Sequence, residues 1–158
     1  MADLRDFMTS LGLDGVTTLL QSGNVVFQSD VSADRLEQQL ERASEERFGA
    51  RIEFFVRSAA EWNAMIAANP FPKEAKADPS HLLAVVLKKP PTAATVTALQ
   101  QAITGREVVR AKDRCAYIVY PDGIGRSKLT SALIEKMLGA RGTGRNWNTV
   151  LKLAALAE

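Results

Sequence analysis

The sequence predicts an α+β fold built from two similar halves, and three observations support this. Apolar residues recur at helical spacing in some segments and form β-rich runs in others. Short polar turns divide two of the β-rich runs into hairpins. The order helix, hairpin, helix then occurs twice in 158 residues. This length, with 46% hydrophobic residues, suits one globular domain or two very small ones.

The first half begins with a helix, because Leu4, Phe7, Met8 and Leu11 share one face and Gly12 is a natural stop. A hairpin follows, since residues of the kind that tight turns require separate its two β-rich runs. The predicted elements are the helix up to Leu11, the hairpin over 15–28 with its turn at 22–24, an amphipathic helix over 33–47, a strand over 51–57, and a short helix opened by the capping box of Ser58 and Glu61.

The second half repeats this order after the segment NPFPKEAKADPS, whose proline and charge content is typical of a connector. The predicted elements are a strand over 81–87, a helix over 92–103, a hairpin over 107–120 that turns at Lys112 and Asp113, and a helix from near Ser127 to Gly139. The expected division is a first half over 1–68, a connector over 69–80 and a second half over 81–158 with a C-terminal helix, all within one compact unit.

Each half has the pattern βαββα(β) of a ferredoxin-like unit, but the first half lacks a leading strand. That strand would normally be paired inside the sheet, and its absence would expose a strand edge. We therefore expect that the native gene product begins upstream and that Met1 is an internal methionine. Mass spectrometry of the protein made from its own genomic locus tests this, and an intact mass that starts at Met1 would contradict it.

Composition limits the functional classes. Cys115 is the only cysteine and His81 the only histidine, so an intramolecular disulfide is impossible and a zinc site of the usual kind is not expected. The chain has no apolar run long enough for a membrane span, and we predict a cytoplasmic protein without a membrane partner. No cofactor is predicted, and the sequence does not indicate an oligomeric state.

Charge is distributed unevenly, although the net charge is only +2. The chain has 10 Lys and Arg against 13 Asp and Glu up to Ile103, and 10 against 5 from Thr104 onward. The basic second part indicates an anionic partner or, more simply, a solvated charged surface.

Four motifs resemble those of one bacterial family. QSGNVVF at 21–27, NPF at 69–71, GIGRSKLT at 123–130 and RNWNTVLKL at 145–153 occur in the order found in the family known as domain of unknown function 1697. The resemblance implies an α+β fold of two ferredoxin-like halves, and it implies no activity. Family members usually open with a strand and an arginine-glycine-isoleucine-asparagine-valine-glycine loop, which this sequence lacks.

The motif GIGRSKLT predicts an anion-binding seat. If a helix begins near Ser127, its free N–H groups and dipole favour an anion there, and Arg126 and Lys128 add positive charge. The motif is not a Walker A loop, because Ser127 stands where that loop requires glycine. The alternative is that the glycines make a turn and Ser127 only caps the helix.

The motif RGTGRNWNT predicts a second glycine-and-arginine helix mouth. Asn148 is expected to cap the last helix and Trp147 to pack beneath the loop. Arg145 and Asn146 are then available to converge with the first seat around a planar anion. In QSGN, turn chemistry explains Asn24 better than ligand contact, which is the alternative role for this residue.

Three functions fit these residues. The favoured one is a binding protein for a small phosphorylated or carboxylated ligand. An enzyme using the same site is an alternative, with Tyr120 or Asp122 as the candidate proton-transfer group. Nucleic-acid binding is another, although the aromatic motif of RNA-recognition domains is missing.

Overall fold

A computed structural model describes residues 2–19 and 23–157 of the chain. The predicted turn residue Ser22 and its neighbour Gln21 lie outside the described residues, as does Met1. The elements are α1 Ala2–Ser10, β1 Asp14–Leu19, β2 Asn24–Gln28, α2 Ala33–Phe48, α3 Ala59–Ala67, α4 Pro72–Ala77, β3 Leu82–Leu87, α5 Ala93–Ala102, β4 Val108–Lys112, β5 Cys115–Val119, α6 Ser131–Leu138, β6 Gly142–Asn146 and α7 Trp147–Leu156.

The protein is an α+β chain that forms two compact units. The first unit contains the described residues up to Trp62 together with those from Lys152 onward, and the second spans Asn63–Leu151. The predicted connector, 69–80, therefore lies inside the second unit. It is more ordered than a linker, because it contains α4 and a 3₁₀ turn over Pro79–His81.

The second half forms a four-stranded antiparallel sheet in the order β4-β5-β3-β6. Strand β3 lies inside the sheet, where it pairs with β5 on one side and with β6 on the other. The turn between β4 and β5 uses Asp113 with φ +53°, a conformation that Asp tolerates better than most residues. This order of strands is the ferredoxin-like arrangement, which confirms the fold predicted from the repeat.

One face of this sheet carries the main core of the second half, because α5 and α6 pack across it. The buried side chains are Val85, Leu87, Leu99, Val109, Ala116, Ile118, Tyr120, Leu129, Ile134, Leu138 and Ala140. Gly142 lies against the same face, and a Cβ atom placed on it would be 2.8 Å from Cδ2 of Leu87 and 2.9 Å from Cγ1 of Val85. The edge strand β6 therefore needs glycine at this position in order to approach the core.

The opposite face carries one row of paired residues across all four strands. Arg110, Tyr117, Ala84 and Arg145 are directly opposite one another in successive strands. Tyr117 is 1% exposed and donates its hydroxyl hydrogen to the carbonyl oxygen of Met65, at 2.7 Å. Both faces of the sheet are thus used for packing, as the continuous apolar sequence of β3 requires.

The first half forms a smaller structure around the antiparallel hairpin of β1 and β2. Phe7, Met8 and Leu40 are buried at the centre of its apolar cluster. Half-buried apolar side chains from the hairpin and from the segment after α2 complete this cluster, including Phe27, Phe54 and Val56. The predicted helices over α1 and α2 are confirmed, and α2 is capped at its C-terminal end by Gly49, with φ +72°.

The prediction of a strand over residues 51–57 was wrong, because this segment is in no strand ladder among the described residues. Side chains of α2 accept hydrogen bonds from alternate backbone N–H groups of this segment instead. Ile52 donates to Ser44 Oγ at 2.9 Å, Phe54 to Glu41 Oε2 at 3.0 Å and Val56 to Glu37 Oε2 at 2.9 Å. The alternating apolar pattern is thus used, but against a helix.

Candidate functional site

A cavity of about 240 Å³ lies in the second unit, between the end of α5 and the loop that precedes α6. Its lining residues are Ala102, Ile103, Thr104, Gly105, Glu107, Asp122, Gly123, Arg126, Ser127, Lys128, Leu129 and Leu133. Apolar side chains come from α5 and α6 and from Ile103 and Leu129 next to them, whereas the charged ones come from the loop and from Glu107. An apolar base with a few convergent polar groups is the usual composition of a ligand site.

Tyr120 fixes the path of the loop at both ends. Its backbone N–H donates to the carbonyl oxygen of His81 at 2.8 Å, and its hydroxyl donates to the carbonyl oxygen of Leu129 at 3.2 Å. Between these points the chain turns through Gly123, which has φ +93° and so occupies a conformation that favours glycine. The loop therefore holds its polar residues over a buried tyrosine.

The predicted helix start near Ser127 was wrong, because α6 begins at Ser131. Thr130 is the N-cap, and its Oγ1 accepts a hydrogen bond from the backbone N–H of Leu133 at 3.3 Å. Ser127 has a different role. Its hydroxyl donates to Glu107 Oε1 at 2.7 Å and accepts from the backbone N–H of Leu129 at 3.0 Å. The cavity therefore does not use the helix mouth that the sequence predicted.

Arg126 and Lys128 flank Ser127 and line the cavity with exposed side chains. Neither side chain forms a hydrogen bond or an ion pair with any residue that the structure describes. Unpaired guanidinium and ammonium groups beside a cavity are available to a ligand oxyanion. The structure therefore brings together three of the residues predicted to bind an anion.

Asp122 also lines the cavity, but its negative charge is balanced by Arg106 in an ion pair. The guanidinium donates to both carboxylate oxygens, from Nε to Oδ2 at 3.0 Å and from Nη2 to Oδ1. Hydrogen bonding to Arg106 lowers the pKa of Asp122 below its ordinary value. Asp122 is therefore ionised at neutral pH and fixed in an ion pair.

Tyr120, the other candidate for proton transfer, is buried in the core and bonded to Leu129. Burial and the nearby charge of Glu107 raise its pKa to about 12. A general acid or base works best when its pKa lies near the operating pH. The pKa of Tyr120 is raised and that of Asp122 is lowered, so both pKa values lie away from neutral pH. This favours structural roles for both residues.

The second predicted group, Arg145 and Asn146, does not line this cavity. The segment 142–146 is strand β6, which leads directly into α7, so the loop predicted here and its convergence with the first seat were wrong. Gly144 points toward Leu83, so the next side chain, Arg145, points to the opposite face of the sheet. Its Nη1 donates to Thr143 Oγ1 at 2.7 Å and to the carbonyl oxygen of Gly144 at 2.8 Å.

The cap of the last helix was also assigned to the wrong asparagine. Asn146 Oδ1, and not Asn148, accepts a hydrogen bond from the backbone N–H of Thr149 at 3.1 Å. Helix α7 begins two residues earlier than a cap at Asn148 implies, at Trp147, which is 3% exposed. Its ring lies 6.4 Å from that of Tyr117, which confirms that this tryptophan packs.

Asn24 lies in the first unit, at the start of β2, and is buried. Its side-chain nitrogen donates to the carbonyl oxygen of Leu19 at 3.2 Å, across the hairpin. This is the turn chemistry that the sequence favoured for this residue.

Sequence reasoning missed Glu107, Arg106 and the end of α5 as parts of the site. Ser127 reaches Glu107 across 20 positions, and Arg106 reaches Asp122 across 16. Local motifs do not indicate such pairs. The pairs form only when the start of β4 and the loop before α6 lie side by side. Charge complementarity between the two segments was the only available indication.

These features define a class of protein, namely an α+β chain of tandem ferredoxin-like halves with a small cavity in the second half that has both apolar and charged lining residues. The chain belongs to the family described as "Protein of unknown function (DUF1697)", which its sequence matches over residues 1–117. That match includes QSGNVVF and NPF and ends before GIGRSKLT. A search of curated proteins gives no match.

Among solved structures, the chain is similar to the conserved bacterial protein SP0830 from Streptococcus pneumoniae. The TM-score is 0.75, the identity is 21%, and the alignment covers 100% of this chain and 88% of the other. At this identity the likeness shows the fold. In the described ranges, 2–19 and 23–157, no helix is long and apolar enough to cross a membrane.

Proposed function

We propose that the protein binds a small ligand through an anionic group, phosphate or carboxylate, held by Arg126 and Lys128 at the cavity. The observation that carries this proposal is that both cations line the cavity and have no partner among the described residues. Ser127 lies between them, and its hydroxyl is engaged with Glu107. A bound oxyanion would satisfy both cations at once.

The size of the cavity supports a metabolite. Its volume of about 240 Å³ is below the roughly 300–1,000 Å³ of pockets that hold drug-sized ligands. The partners of Arg145, Asn146 and Asn24 lie within the fold, so these residues have no part in the proposed site. A cytoplasmic location remains our prediction, which the single, buried Cys115 supports.

Binding is better supported than catalysis or nucleic-acid recognition. Tyr120 and Asp122, the candidate proton-transfer groups, have pKa values shifted away from neutrality and fixed partners. An RNA-binding sheet displays aromatic side chains to solvent, whereas Tyr117 and Tyr120 are each 1% exposed. A small-molecule site therefore accounts for more of the observed geometry.

Isothermal titration calorimetry with ethyl phosphate tests the proposal. We expect the wild-type protein to bind it, and Arg126→Ala and Lys128→Ala each to weaken binding roughly tenfold, because each removes a charge-assisted hydrogen bond. The matched controls are Arg110→Ala and Lys136→Ala, which remove exposed cations outside the cavity lining. Equal affinities for the cavity variants and their controls would show that the cavity is not the site.

A further inference from the structure

A second carboxylate lines the cavity, and no cation among the described residues lies within ion-pair distance of it. Glu107 is half-buried, and its Oε1 accepts the hydroxyl hydrogen of Ser127 at 2.7 Å. Its other oxygen, Oε2, accepts no hydrogen bond from the residues that the structure describes. Arg106 is next to it in sequence, but directs its guanidinium to Asp122. Glu107 thus keeps one acceptor oxygen and its negative charge available to the cavity.

The position of Glu107 is fixed by the surrounding backbone. Gln100, in α5, donates from Nε2 to the carbonyl oxygen of Glu107 at 3.1 Å and accepts from the N–H of Val109 at 2.8 Å. This amide clamps the start of β4 against α5. Together with the Ser127 hydroxyl it holds the carboxylate at the cavity, and a preorganised group of this kind binds without first having to be ordered.

The cavity consequently presents both signs of charge. Arg126 and Lys128 attract an anion, whereas Glu107 repels one and attracts a cation. A ligand with only a negative group would leave the carboxylate unmatched in a partly desolvated site, which costs binding energy. A ligand with both groups would match the cavity at both positions.

We propose that the ligand is a small zwitterion, whose anionic group contacts Arg126 and Lys128 and whose ammonium group contacts Glu107. This inference rests on the proposed function and adds the identity of the second recognition group. It assigns Glu107 as the residue that selects the ligand, and Ser127 as a positioning residue for its carboxylate. Binding is non-covalent, so no bond is formed or broken.

A pair of probes that differ only in the ammonium group tests this inference. Calorimetry should show that phosphoethanolamine binds the wild-type protein about tenfold more tightly than ethyl phosphate, the gain expected of one charge-assisted hydrogen bond. In Glu107→Gln the preference should disappear, while ethyl phosphate binds at least as tightly as before. Equal affinities for the two probes in the wild type, or an unchanged preference in Glu107→Gln, would overturn the inference.

Two further variants separate the possible failures. Ser127→Ala removes the hydroxyl partner of Glu107 but keeps its charge, so the preference for phosphoethanolamine should persist at a reduced level. Arg126→Ala should lower the affinities for both probes by the same factor and leave the ratio of the two affinities unchanged. Ethyl phosphate binding that depends on Arg126 but shows no ammonium preference would refute the zwitterion alone. Failure of both probes to bind the wild-type protein would refute the zwitterion and the anion site together.

Discussion

The two halves of the chain have the same order of elements, but they hold their final extended segments differently. In the second half, β6 pairs with β3 over five residue pairs, from Leu83 opposite Asn146 to Leu87 opposite Gly142. In the first half, the corresponding segment, 51–57, is held by three side chains of α2. One segment is therefore part of a backbone ladder, while the other depends on the conformations of side chains.

This difference indicates which half is more stable against local unfolding. A backbone ladder joins donors and acceptors that the strands already hold in order. A glutamate side chain, by contrast, must lose rotamer freedom in order to accept a hydrogen bond. Among the described residues, the apolar cluster around Phe7 has three buried members, whereas the main cluster of the second half has eleven. We expect the first half to open at lower free energy, and the following predictions test that expectation from the largest effect to the smallest.

Hydrogen exchange should separate the halves most strongly. We expect the amides of β3 to exchange at least about a hundredfold more slowly than those of β2 and of residues 52–56, because β3 is paired on both sides and buried. Exchange of the native protein, followed by mass spectrometry at peptide resolution, measures this. Similar protection in the two halves would mean that the chain opens as one cooperative unit.

A single methyl group should destabilise the second half. Gly142→Ala places a Cβ atom within 3 Å of Leu87 and Val85, and we expect it to lower the free energy of unfolding by about 1–3 kcal/mol. Gly125→Ala is the matched control, because no described residue other than its chain neighbours has an atom within 4 Å of its Cβ position, and its effect should stay within about 0.5 kcal/mol. Urea denaturation gives both values, and equal effects would show that β6 does not approach the core as described.

Removal of one α2 acceptor should loosen the first half. Glu41→Ala deletes the acceptor of the Phe54 N–H and one partner of Arg51, so we expect a loss of about 1–2 kcal/mol. Exchange should accelerate at residues 52–56 and remain unchanged in β3. Glu46→Ala, which removes an exposed carboxylate from the same helix, should alter neither quantity. Faster exchange throughout the chain would contradict a local role for Glu41.

Alkaline pH should act on the second half, because both tyrosines of the chain lie there. Burial raises the pKa of Tyr120 to about 12 and that of Tyr117 further, against roughly 10 in an unfolded chain. Between these values the folded chain keeps protons that the unfolded chain has lost. The stability from each tyrosine is therefore complete below about pH 10 and falls by roughly 1.4 kcal/mol per pH unit above it.

Tyr120→Phe isolates one of these contributions. It should cost about 1 kcal/mol at neutral pH, because the Leu129 carbonyl loses its donor, and should approximately halve the decline in stability between pH 10 and 12. Denaturation curves at several pH values measure the slope. An unchanged slope would indicate that Tyr120 is not the buried, protonated donor that the structure shows.

Elements whose signals are local were predictable from the sequence. The 3.6-residue periodicity of α1 and α2, and the buried run of β3, identified those elements because burial and backbone geometry act on neighbouring residues. The repeated order then gave the fold class. Segment 51–57 shows the limit of this reasoning. Its alternating pattern indicates that one side of the segment is buried. The pattern does not indicate whether the acceptors for its N–H groups lie in a neighbouring strand or in a helix.

The site was only partly predictable, for a related reason. Arg126, Ser127 and Lys128 are adjacent, so one motif revealed all three. The start of α6 was misplaced because Ser127 and Thr130 are both suitable caps, and the choice depends on Glu107, which occupies the Ser127 hydroxyl. Arg145 was placed in the wrong site because its neighbouring glycines suggested a loop. They instead allow a strand to lie close to the core.

The two glutamate acceptors of α2 match the spacing of alternate N–H groups in the extended segment. Four residues of helix advance about 6 Å, close to the roughly 6.6 Å spanned by two residues of an extended chain. Glu37 and Glu41 can therefore serve Val56 and Phe54 in turn, with the two segments running in opposite directions. Inserting one residue into α2 between the glutamates would rotate one acceptor about 100° from the other, since a helix completes a turn in 3.6 residues. The length of this stretch of helix is thus constrained by the spacing of the N–H groups that it serves.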